Sequence, residues 1–376
     1  MNNHFPEDKS LNISAFSRIL DKTTNSYKYL FFLSFVRKIS EMKKTDISKS
    51  EIKLIDIAAE MLLLAWFPHR YFKLSLGIQD QCADILNKFL VSQTVVYDNG
   101  PISNSKVDSL RKELKQWLLN NNEHLDRLLK YVPYRVLTPF YELELKGLSD
   151  YKKDAKIISL ANSDLNNKIP LYRFNKDSIL VDKCWKDYIQ TNMPIIEGWI
   201  KWSWCDYLQN RNSTVPSIPN KILPVLKRIS MTKEINYWKD VIKFKDVKCI
   251  YTNSKIETFE LDHFLPWTFV THNRLWNLIP VLGEANSSKS NILPNLSYLD
   301  DFIEIQSNAI HISKGVYSDK KWKKIMEPFI SDLNISSYSD LLDESVLDKA
   351  YKSTIFPLYE IAKTNGFSSG WVYKHR

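Results

Sequence analysis

The sequence predicts a predominantly helical α+β fold, with a small strand–strand–helix core embedded between helical regions. Three observations lead there. Most of the 376 residues fall in long segments whose apolar positions recur at helical spacing. From Cys249 the texture changes to short runs rich in β-branched and aromatic residues, separated by turn-forming residues. Prolines at 216, 219 and 224, and again at 294, mark the borders of this stretch. The expected organisation is a helical region over 1–215, the small core within 216–300, and a helical cap over 301–376.

Taken in order, Thr23, Thr24, Asn25 and Ser26 are capping residues ahead of the apolar run YKYLFFLSFVRKISEM. Ser48 or Ser50 is positioned to cap EIKLIDIAAEMLLLAWF, which carries Ile52, Ile55, Ala59, Leu62, Leu63 and Trp66 at helical spacing. Asn104 or Ser105 opens KVDSLRKELKQWLL, which ends near NNNEH. One long helix is expected from Asp182 to Asn210, its Trp185, Trp199, Trp202 and Trp204 read as core rather than as a stacking surface. CIYT, TFELDH and NLIPV then read as short extended segments, and GEANSSKSN as a short helix stopped by Pro294.

A hydrophobic content of 44% with 25% charged residues is that of a soluble globular chain. The apolar run Tyr29–Val36 is about a third of a membrane span, so no membrane partner is expected. The N-terminal MNNHFPEDKS has neither a basic nor an apolar leader pattern. Cys82, Cys184, Cys205 and Cys249 form no CxxC pair, which points to reduced thiols in a cytoplasm and to no structural zinc.

The net charge of +9 favours a nucleic-acid partner, DNA or RNA. Between Lys221 and Lys248 there are eight Lys or Arg against three Asp or Glu. Lys221, Lys227, Arg228, Lys233 and Lys239 are therefore the candidate nucleic-acid contacts. SDKKWKK, from Ser318 to Lys324, is a second basic run. From Lys245 to Lys289 the two signs balance at five each, so positive surface must come from the flanking helices.

The stretch ELDHFLPWTFVTHNRLWNLIPVLGEANSSKSNILP concentrates the candidate chemistry. Hydrolysis of a phosphodiester needs a base for water and a cation for the charge on phosphate and leaving oxygen. His263 suits the base, because an imidazole is largely neutral at physiological pH. Asp262 and Asn286 offer hard oxygen ligands, which favour Mg²⁺ or Mn²⁺ over zinc. Asn277 is placed in sequence to hold the imidazole. Lys289 shares a helix face with Asn286, where it could meet a phosphate. Neighbours on a regular strand point to opposite faces. Asp262 and His263 can therefore serve one phosphate only if the strand ends or twists at that pair, and FLP follows it directly.

This constellation resembles the HNH endonucleases and their ββα-metal core. It reads DH-x-x-P (Asp262, His263, Pro266), NL-x-P (Asn277, Leu278, Pro280) and N-x-x-K (Asn286, Lys289), closed by Pro294. The spacing is similar to that of the HNH domain in type II CRISPR effector nucleases. The resemblance implies a one-metal nuclease in which His263 is the base, Asp262 and Asn286 hold the metal, and Asn277 orients the base. Many members carry a paired-CxxC zinc knuckle, whereas here Cys249 stands with Thr252 in place of a second cysteine. The flanking helices must then hold the small core. The expected function is a Mg²⁺-dependent DNA endonuclease of bacterial restriction or anti-phage defence. Its helical region would serve for sensing, for DNA binding, or for a protein partner or homodimer. The alternatives are a homing-type endonuclease and a non-catalytic nucleic-acid-binding subunit.

Overall fold

The computed structural model describes residues 5–21, 23–43, 50–77, 80–92, 104–163, 169–222 and 230–374. The chain divides into two compact units, one of residues 1–213 with 218–226, the other of 214–217 with 227–376. The fold is α+β and mostly helical, as expected.

In the first unit, α1 (Tyr27–Ser40) buries every residue from Tyr29 to Val36. A helix apolar on all sides can only sit at the centre of a core. β1 (Ser50–Lys53) leads into α2 (Leu54–Trp66), buried continuously from Ile57 to Trp66. Glu60 is the one carboxylate in that buried run, and it meets Arg111 Nε at 2.8 Å and Arg37 Nη1 at 3.4 Å. α3 (Asn104–Asn120) and α4 (Asp150–Asn162) follow. β2 (Arg173–Asn175) and β3 (Ser178–Val181) complete an antiparallel sheet in the order β1–β3–β2, with Ile52 opposite Ile179.

Two expectations are corrected here. Ser50 does not cap a helix: residues 50–53 alternate in burial as a strand and the helix begins at Leu54, while Ser48 lies outside the described residues. The segment 182–210 is two helices, α5 (Lys183–Thr191) and α6 (Met193–Arg211). Asn192 separates them, with Pro194 in the first turn of α6. Trp185 and Trp204 are fully buried, but Trp202 is 62% exposed.

The second unit opens with α7 (Thr232–Ile242). Cys249–Thr252 is a turn, not an extended segment; Asn253, in the left-handed region at φ 58°, closes it by donating to the Cys249 carbonyl at 2.8 Å. β4 (Glu260–His263) and β5 (Leu278–Val281) pair antiparallel, with Asp262 opposite Ile279 and His263 opposite Leu278. α8 (Gly283–Lys289) completes the strand–strand–helix element. α9 (Leu299–Val316), α10 (Asp319–Asp332) and α11 (Glu344–Thr364) follow.

A two-stranded ribbon is marginal alone and needs packing. Here it shares one hydrophobic core with the later helices, running from Tyr237 through Phe264, Leu278 and Phe302 to Tyr351. Gln306 of α9 donates to the Leu278 carbonyl at 2.8 Å, and Trp276 donates to Asp332 of α10 at 2.8 Å. No helix among the described residues is long and apolar enough to cross a membrane.

Candidate active site

Residues two apart on a strand share a face, so Glu260 and Asp262 of β4 stand on the one that α8 meets. Asn286 and Lys289, three residues apart, both reach back to that face. Asn286 Nδ2 donates to Glu260 Oε2 at 2.7 Å, and Lys289 Nζ donates to Asp262 Oδ1 at 3.0 Å. Gly283 packs close to this pair: a Cβ there would lie 3.1 Å from Glu260 Oε1.

Asp262 is 3% exposed. Its second oxygen accepts from the Tyr251 hydroxyl at 2.7 Å. Tyr251 is held in turn by edge contacts with Tyr298 and Trp371, at 5.0 and 4.9 Å between ring centres. Burial, with the Asp262 charge beside it, holds the Tyr251 phenol well above its ordinary range, so it stays a neutral donor. Burial likewise pushes the Asp262 carboxyl up, while the Lys289 ammonium and the Tyr251 hydroxyl pull it back.

The strand ends at His263, the last paired residue of β4. Beyond it the chain bends, with Phe264 donating to the Asn277 carbonyl at 2.9 Å. The half-buried imidazole places Nε2 3.0 Å from Asn273 Oδ1. An amide oxygen accepts, so in this contact Nε2 of His263 is the donor.

Three of the sequence-derived residues stand differently from expectation. Asn277 is fully buried, and both its amide atoms go to Leu265: Oδ1 accepts from the backbone N–H and Nδ2 donates to the carbonyl, each at 2.9 Å. The imidazole is met by Asn273 instead. Lys289 does not present a charge to solvent; it is 0% exposed and also donates to the His263 carbonyl at 2.8 Å. Lys221 is 0% exposed, which removes it from any contact surface. Lys233 and Lys239 are exposed on α7, and Lys227 and Arg228 lie outside the described residues.

Sequence reading missed Glu260, Asn273 and Tyr251. Glu260 carried a signal, because it lies two residues before Asp262 on the same strand face. Tyr251 carried none, since its contact depends on how the turn folds back.

The donor set of Asp262, Asn286 and the neighbouring Glu260 consists of hard oxygens, which fit a divalent cation such as Mg²⁺ or Mn²⁺. Asp262 accepts side-chain bonds from Tyr251 and Lys289 and a backbone bond from His263, and a carboxylate has about four acceptor positions. Among the described residues no cluster of three or more His, Cys, Asp or Glu side chains is arranged to hold a metal, so the amide of Asn286 would have to be part of the set.

Residues 249–295 match the HNH endonuclease family, over the same segment that holds these residues. No curated protein and no solved structure matches the chain.

Proposed function

With residues 249–295 belonging to the HNH endonuclease family, we propose that the chain is a divalent-metal-dependent DNA endonuclease, a restriction or anti-phage effector. The observation that supports the reading is a strand ending at His263, on which Asp262 and Glu260 are held by Lys289 and Asn286 of α8. Asp262 and Asn286 would hold Mg²⁺ or Mn²⁺, which when bound neutralises charge on the phosphate and the leaving oxygen.

The remaining steps belong to side chains of this chain. Asn273 holds the imidazole by Nε2, so that Nδ1 of His263 takes a proton from water as its oxygen attacks phosphorus. The phosphorus–oxygen bond to the leaving group breaks, and that oxygen is protonated by solvent. Lys289 neutralises Asp262 within the protein and braces the His263 carbonyl, so its part is to position the pair rather than to grip phosphate.

Single-turnover cleavage of plasmid DNA tests this. Wild type should cut with Mg²⁺ or Mn²⁺ and stop in EDTA. His263→Ala should lose about 10²–10⁴-fold in rate while binding DNA unchanged, the range general-base catalysis supplies. Cleavage by His263→Ala at the wild-type rate would remove the assignment. Metal-independent DNA binding with no cleavage by wild type would leave a nucleic-acid-binding subunit.

A further inference from the structure

The first unit contains a cleft of about 1290 Å³ between the start of α1, the segment 127–135 and the start of α4. This is on the scale of, or larger than, ordinary small-ligand sites, which hold roughly 300–1,000 Å³. Four cations line it, Lys28, Arg127, Lys130 and Arg135, against two carboxylates, Asp150 and Asp154. Two tyrosines at the cleft are far more exposed than aromatic rings usually are, Tyr131 at 52% and Tyr151 at 90%.

The cations are not equally committed. Arg127 donates to Gln81 Oε1 at 2.7 Å and pairs with Asp84 at 3.2 Å. Arg135 pairs with Asp154 at 3.0 Å and Asp150 at 3.4 Å. Lys130 lies 5.0 Å from the centre of the Tyr131 ring. Lys28 stands in the first turn of α1, half-buried. Burial draws its ammonium below the usual lysine range; Asp21 opposes this, and the Arg135 charge adds to it. Arg135 is thus already balanced by two carboxylates, while Lys28 and Lys130 stand in no ion pair among the described residues.

We propose that this cleft binds a nucleoside phosphate, its phosphate on Lys28 and Lys130 and its base against Tyr131 or Tyr151. The carboxylates of Asp150 and Asp154 favour a small ligand over a nucleic-acid strand. They can accept from sugar hydroxyls, whereas a continuing phosphate chain would meet their charge. Every aromatic base offers a face to tyrosine.

The test is isothermal titration and thermal melting of the full chain, in EDTA so that no nucleic acid is cut. The probes are AMP, ATP, GTP, inorganic phosphate and a ten-residue oligo-dT. At least one nucleotide should bind and raise the melting temperature, and inorganic phosphate should bind at least tenfold more weakly. Lys28→Gln and Tyr131→Ala should each weaken nucleotide binding about tenfold, the loss of one good interaction, with melting of the unliganded variants unchanged. Three results overturn the proposal. One is no response to any nucleotide at millimolar concentration. Another is inorganic phosphate binding as tightly as the nucleotides. The third is oligo-dT binding that Lys28→Gln reduces while the mononucleotides do not bind, which would make the cleft a strand groove.

Discussion

Asn277 and Asn273 lie four residues apart on the loop that returns to β5, and their amides face different tasks. Both Asn277 bonds end on Leu265, so the residue shapes the bend that ends β4 and reaches the imidazole only through the backbone. Asn277→Ala would leave a buried N–H and a buried carbonyl unpaired, at a cost of about 2–4 kcal/mol. Its expected signature is a lower melting midpoint with a nearly normal cleavage rate well below that midpoint. Asn273→Ala should do the reverse, slowing single-turnover cleavage with little change in melting, because its contact is with the His263 ring. If the two variants behave alike, the separation of roles is wrong. Lys289 carries a different prediction. Removing one partner of a buried ion pair strands the other charge. Lys289→Met should therefore destabilise the second unit by about 3–5 kcal/mol, read by urea unfolding. A residue serving only to grip phosphate would change cleavage and leave the unfolding curve in place.

At the scale of elements, the strand–strand–helix unit depends on simple periodicities that the sequence already displays. Alternation along β4 sends Glu260 and Asp262 to one face, and the three-residue step on α8 returns Asn286 and Lys289 to it. Periodicity was less informative where two elements abut. Residues 50–53 continue an apolar pattern into α2 and read as helix, until pairing with β3 supplies the hydrogen bonds that make them a strand. The basic approach to the site resolves in the same way. Lys233 and Lys239 stand exposed on α7, where they can meet phosphates. Each released counterion contributes close to one unit to the slope of log affinity against log salt. Neutralising both with Gln should weaken DNA binding and reduce that slope by about two, measured by fluorescence anisotropy across a salt series. An unchanged slope would mean that this face of α7 is only solvated.

Across the whole molecule, burial redistributes the positive charge that the composition suggests is a surface. Lys221 is the clearest case: burial draws its ammonium down to about 7 from the usual 10.5. The unfolded chain keeps this proton up to about 10.5, while the folded chain releases it near 7. Between those values the unfolded state binds more protons, so stability rises with pH through that window and is lowest below it. The limiting slope is about 1.4 kcal/mol per pH unit. Urea unfolding at pH 7 and pH 9 should show wild type gaining about 2–3 kcal/mol more over this interval than Lys221→Met. Equal gains would mean that Lys221 keeps its proton when folded. By itself the sequence determined which candidate groups this stretch offers: the carboxylate of Asp262, the amide of Asn286, the imidazole of His263, and the order of strand, strand and helix that carries them. Residue type and local spacing are enough for that, because ligand hardness, proton affinity and helix or strand period are properties of short stretches. Tertiary structure alone decided which polar groups face inward and whom they meet. It turned Lys289 onto Asp262, Asn277 onto Leu265 and Lys221 into a core, and brought Tyr251 and Trp371 together behind the carboxylate. Those pairings join segments up to 120 residues apart, and burial is a property of the packed surroundings that no short stretch of chain contains.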